Sequence, residues 1–207
     1  NLDDANDALN KNSFYSSNLN LAAGSTIKGS GNGQLAMGQT SYTGAGVNTL
    51  VKLTNDGTIQ LSGTSSIGMY ANYGTLDNNM AISTTGADSV GIYGENGTAV
   101  TNSGSIMIGN TSVKIKKKKK KDISSPASYG DKKVNITNNS SVASAAGTTG
   151  TVGVYANNNA GVAGNTLTLG TGSVINLGSS DNAIGVYANQ INNVSASGTI
   201  TVGSNGI

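Results

Sequence analysis

The residues of this 207-residue chain that could do chemistry are few. It contains no histidine, cysteine, tryptophan or arginine, so zinc chelation, thiolate attack and imidazole proton transfer have no agents. Its carboxylates Asp56, Asp77, Asp88, Glu95 and Asp181 are mostly single residues beside Asn or Gly. In that setting a short carboxylate bonds nearby backbone amides and shapes a turn. A polysaccharide lyase or hydrolase would need clustered carboxylates helped by a cation, and no such cluster is visible. The glycine-rich nonapeptide that binds calcium is also missing. The sequence therefore predicts no catalytic residue, no metal and no cofactor.

Tyrosine and lysine are what remains. Tyr70, Tyr93, Tyr155 and Tyr187 each close a Gly-x-Tyr phrase. Tyrosine joins apolar area to a hydroxyl and suits sugar faces and protein partners. Lysine is concentrated in one window: Lys114, the run Lys116, Lys117, Lys118, Lys119, Lys120 and Lys121, then Lys132 and Lys133. Such a run stays extended and solvated, and attracts anionic groups in a salt-dependent way. It also reads as low-complexity drift. Outside that window three lysines face eight carboxylates, so the body is acidic and is not expected to bind nucleic acid specifically.

The elements that must position these side chains are repeats. One phrase recurs as Ser66-Ile67-Gly68-Met69-Tyr70-Ala71, Ser89-Val90-Gly91-Ile92-Tyr93-Gly94, Thr151-Val152-Gly153-Val154-Tyr155-Ala156 and Ala183-Ile184-Gly185-Val186-Tyr187-Ala188. A second alternates with it: Asn55-Asp56-Gly57-Thr58-Ile59, Asn102-Ser103-Gly104-Ser105-Ile106, Gly172-Ser173-Val174-Ile175 and Ser197-Gly198-Thr199-Ile200. Asn78 to Ile82 and Asn138 to Val142 are weaker copies.

Both phrases carry the strand period of two. Ile67, Met69 and Ala71 share a face, as do Val90, Ile92 and Gly94. So do Ile59 and Leu61, Ile106 and Ile108, and Ile175 and Leu177. Each strand is short, bounded by Gly, Asn or Asp, and too close to the next for a crossover helix. Helix is expected only weakly, at Leu2 to Leu9. Repeats of two or three dozen residues bury their apolar faces only by stacking on equivalent repeats. The sequence thus predicts an all-β fold: a right-handed parallel β-helix (solenoid) of about eight irregular coils.

One continuous solenoid domain is expected. Residues 1–23 form an N-terminal edge or cap, 24–109 and 134–207 form coils, and 110–133 are a lysine-rich loop insertion. Glycine and tyrosine of each Gly-x-Tyr are expected opposite the core, giving an external ladder. Each ring would either cover the neighbouring coil's glycine or serve as a docking strip. Asn72, Asn96, Asn157 and Asn189 suit turn positions and stacked side-chain ladders. No stretch is long and apolar enough to span a bilayer as a helix, and the chain reads as a segment of a longer protein.

The phrases Val90-Gly91-Ile92-Tyr93-Gly94-Glu95-Asn96-Gly97, Thr101-Asn102-Ser103-Gly104-Ser105-Ile106 and Ala183-Ile184-Gly185-Val186-Tyr187-Ala188 resemble the passenger repeats of the large fusobacterial type V autotransporter adhesins. The resemblance runs from about Gly24 to the end, apart from the lysine-rich interruption. It implies a passenger exported through the outer membrane to the cell surface, or secreted, that mediates coaggregation and attachment to host cells. The implied partner is a host or bacterial surface receptor or glycan, and no binding residue is transferred. A purely structural stalk or self-assembling surface subunit, joined through the helix ends, is the alternative; a glycan-degrading enzyme is third.

Overall fold

The computed structural model describes residues 18–40, 42–44, 47–49, 51–72, 74–95, 98–109, 111–116, 133, 135–157 and 164–207. The helix expected at Leu2 to Leu9 lies outside them. Every regular element among the described residues is a β-strand.

The chain visits three sheets in rotation. The first pass is β1 (Asn18–Leu21), β2 (Thr26–Gly29) and β3 (Leu35–Thr40), followed by a small hairpin of β4 (Tyr42–Gly44) and β5 (Val47–Thr49). The second is β6 (Val51–Asn55), β7 (Thr58–Leu61) and β8 (Ile67–Asn72); the third is β9 (Gly74–Asn78), β10 (Ile82–Thr84) and β11 (Val90–Glu95). The fourth is β12 (Ala99–Asn102), β13 (Ile106–Ile108) and β14 (Thr111–Lys116). The fifth is β15 (Asn135–Asn138), β16 (Ser141–Ser144), the two-residue β17 (Thr148–Thr149) and β18 (Val152–Asn157). The sixth is β19 (Thr166–Leu169), β20 (Val174–Leu177), β21 (Ser180–Asp181) and β22 (Ile184–Asn189); β23 (Asn193–Ala196) and β24 (Thr199–Val202) begin a seventh.

Strands of equal rank stack in parallel. The first sheet is ordered β1-β6-β9-β12-β15-β19-β23, the second β2-β7-β10-β13-β16-β20-β24, and the third β3-β8-β11-β14-β18-β22. Two sheets thus hold seven strands and one holds six, where about eight coils were expected. Two expected boundaries also move. β1 pairs with β6 as a full member of the first sheet, so the stack includes part of the segment read as a cap. β14 pairs with both β11 and β18, so 111–116 belong to the stack and not to an insertion beginning at 110.

The core is built of columns. Leu53, Leu76, Val100, Ile136 and Leu167 face inward from the first sheet, and Ile59, Ile82, Ile106, Val142 and Ile175 from the second. Met37, Met69, Ile92 and Val154 do so from the third. All are buried. Each repeat presents only a few apolar residues, so burial comes from the repeats above and below it. Where stacking stops, burial stops: Ile200, in register with fully buried Ile175, is 43% exposed.

One inward column of the first sheet is polar. Asn55, Asn78, Asn102 and Asn138 are all fully buried. Each amide donates from Nδ2 to the next Oδ1 at 2.7 Å, across sequence separations of 23, 24 and 36 residues. The ladder ends where Asn138 Nδ2 donates to Ser173 Oγ at 2.5 Å. Buried amides are tolerable only when paired, and here each pairs with its own counterpart in the next repeat. Asn55 and Asn102 open Asn-x-Gly phrases, and Asn78 and Asn138 open the weaker copies without the glycine. Of the ladder expected elsewhere, Asn189 Nδ2 bonds Asn157 Oδ1 at 3.1 Å, and Asn96 lies outside the described residues.

Candidate interaction face

The third sheet carries the Gly-x-Tyr phrases, and its local structure starts at the residue before each strand. Ser66 and Ser89 are fully buried there. The Ser89 hydroxyl accepts from Ser66 N at 3.1 Å and donates to the Gly63 carbonyl at 3.1 Å, tying one turn to the next. The glycine that follows packs inward. A methyl group at Gly68 would lie 2.5 Å from the Gly91 carbonyl oxygen and 2.8 Å from Ile82 Cγ2, and one at Gly153 would strike the Gly185 carbonyl and Ile175. At Gly68 and Gly153 a side chain would have to displace the neighbouring strand, whereas Ala36 holds the equivalent position in β3.

This corrects the expectation that glycine shares the tyrosine's outer face. With the glycine carbonyl and an isoleucine filling that space, ring does not cover glycine; ring meets ring. Tyr70 and Tyr93, in register on adjacent strands, have centroids 5.7 Å apart and planes tilted by 41°. Tyr155 and Tyr187 stack with centroids 4.8 Å apart and planes 6° from parallel. Tyr70, Tyr93 and Tyr155 are half-buried, and Tyr187 is 38% exposed.

The four tyrosines form two pairs and not one ladder, because β14 intervenes. It places Lys114 in register with Tyr93 on one side and Tyr155 on the other. Lys116 closes the same strand, in register with Glu95. Lys117, Lys118, Lys119, Lys120 and Lys121 lie outside the described residues. Val113 and Ile115 alternate with polar residues as in a strand, yet the segment was assigned to the insertion. Without a Gly-x-Tyr it did not announce itself.

The connections add a second feature. Passage from first to second sheet takes two to four residues, and from second to third two to seven, the two longest of these carrying β17 and β21. Passage from third to first varies from residue 73 alone to 117–134, with 41–50 and 158–165 between those extremes. The β4–β5 hairpin and the lysine-rich segment therefore join the stack at the same corner, beside the tyrosine sheet.

Two of the carboxylates have structural partners. Asp77 pairs with Lys52 at 3.1 Å on the outer face of the first sheet, and Asp56 accepts from Asn79 Nδ2 at 2.8 Å. Asp88 holds a left-handed turn at φ 56°. Among the described residues no three His, Cys, Asp or Glu side chains come together as a metal site would require. A shallow groove of about 360 Å³ lies over the second sheet, lined by Lys28, Ser30, Gln60, Ser62, Ser83 and Thr85. No helix among the described residues is long and apolar enough to cross a membrane.

Comparison with known proteins gave no match to any family model, to any curated protein or to any solved structure.

Proposed function

We propose that this protein is a non-catalytic, surface-exposed adhesin segment: a right-handed parallel β-helix that holds a binding edge away from the cell. In this reading each pass through the three sheets is one coil. The right hand follows from the strong preference of parallel crossover connections for that hand. The protein reaches the cell surface by export across the outer membrane, and its partner is a receptor or glycan on host or bacterial cells.

The observation that carries the reading is the concentration of length variation at one corner. A repeat architecture that serves only as a stalk has no need of insertions, whereas insertions collected on one side are where repeat proteins commonly bind. Tyr70, Tyr93, Tyr155 and Tyr187 line the adjoining sheet. Beads coated with the full chain should attach to host or partner bacterial cells and release no reducing sugar from polysaccharides. Beads that attach no better than albumin-coated ones would overturn the reading.

A self-assembling structural subunit is the second reading, and light scattering at rising concentration separates the two, because end-to-end assembly grows with concentration and adhesion does not require it.

A further inference from the structure

We propose that the groove over the second sheet is a binding site for a sugar carrying a single anionic group, with Lys28 as the anion contact. The inference rests on the non-catalytic binding reading above and names the class of ligand.

Backbone register builds the groove. Lys28, Gln60, Ser83 and Met107 occupy one outward column on four successive strands, at about 4.8 Å per strand. The column steps down from two long polar side chains to the short Ser83, then rises again at Met107, which is 47% exposed. Ser62 and Thr85, which follow their strands, are short as well. The hollow of about 360 Å³ lies over Ser62, Ser83 and Thr85, with the buried Gly29 and Leu61 completing its lining. That volume suits one sugar ring at the lower end of the range for small-molecule sites.

The polar groups of the groove are uncommitted. Lys28 forms no ion pair among the described residues, in contrast to Lys52 with its Asp77 partner. The side chains of Gln60, Ser62, Ser83 and Thr85 likewise have no hydrogen-bond partner among the described residues. One amide and three hydroxyls both donate and accept, as sugar hydroxyls require. Met107, beyond Ser83, offers a flexible apolar side chain to the face of a ring.

Charge selects the ligand. The seven strands of the second sheet contain one ionisable side chain, Lys28. A single ammonium on a neutral sheet matches one carboxylate or one sulfate. A dense polyanion such as duplex DNA finds no second cation there, and the chain outside the lysine window is acidic.

The test titrates the full chain with glucuronate, glucose 6-sulfate, glucose and N-acetylglycine at about 0.05 M salt, where screening is weak, and follows the backbone amide shifts of residues 28, 60, 83 and 85 by NMR. One of the two anionic sugars should move these amides and bind at least about three-fold more tightly than glucose or N-acetylglycine. Whichever does so assigns the anion as carboxylate or sulfate. Lys28→Gln keeps the length and loses the charge. It should weaken the anionic sugar by about two- to five-fold and abolish the salt dependence of its binding, with the fold checked by circular dichroism. Ser83→Ala should weaken charged and neutral sugars alike, and Lys52→Gln should change nothing. No shifts in the groove at about 10 mM sugar, N-acetylglycine bound as tightly as the anionic sugars, or undiminished binding by Lys28→Gln would each overturn the proposal. If wild-type beads attach to no cell while Lys28-dependent sugar binding persists, adhesion fails and this inference stands; if beads attach while no sugar enters the groove, the inference fails and adhesion stands.

Discussion

Asn78 Nδ2 donates to Asn102 Oδ1 at 2.7 Å, with both side chains wholly shielded from solvent. The bond joins two repeats through side chains at the same place where their backbones already pair. Because an amide both donates and accepts, identical residues satisfy one another, and the register that aligns the leucine column aligns the amides.

Asn102→Ala removes two rungs at once. The Asn78 donor and the Asn138 acceptor are then buried without their partners, at about 1–3 kcal/mol each. Urea unfolding should show a loss of about 2–6 kcal/mol, larger than for truncation at an exposed asparagine such as Asn79.

Gly153→Ala forces a methyl group against the Gly185 carbonyl and Ile175. Overpacking of this kind costs about 1–3 kcal/mol. Thermal melting should fall clearly below wild type. An unchanged midpoint would mean that the glycine is not required by close approach.

Thr84 Oγ1 is buried and has no hydrogen-bond partner. Thr84 faces the core between Leu61 and Ile108, so valine matches both its shape and its surroundings. Thr84→Val should stabilise the chain by about 1 kcal/mol, read as a higher urea midpoint at unchanged slope.

Lys52 and Asp77 are 54% and 22% exposed at the side chain, and their ion pair is correspondingly screened. Lys52→Gln should alter stability by less than about 1 kcal/mol, and the residual effect should vanish in high salt.

Tyr155→Ser and Tyr93→Ser each break one aromatic pair, worth about 0.5–1.5 kcal/mol. Adhesion lost in a chain that still melts cooperatively assigns the tyrosines to binding. Lowered melting with attachment retained assigns them to cohesion between repeats.

Much of the strand pattern was legible because two short phrases alternate along the chain. Ile59, Met69, Ile92, Ile106 and Ile175 announced the buried faces by period two, and all are buried. The candidate face was legible only in its tyrosines. Gly68 and Gly153 were assigned to the wrong side, since alternation assumes an unbroken pleat. The chain instead bends at these glycines, as the register passing directly from Val90–Ile67 to Ile92–Met69 indicates.

The sequence by itself determined that the described residues form β-strands and that the repeats must stack. Those conclusions follow from composition and local periodicity, which a single strand already carries. Only the tertiary structure decided that Asn55, Asn78, Asn102 and Asn138 form one column, that 111–116 is a strand, and that Lys114 divides the tyrosines into pairs. Each depends on which residues share a register across two or three dozen intervening positions. That register is set by the joint packing of three sheets, which no single repeat specifies alone.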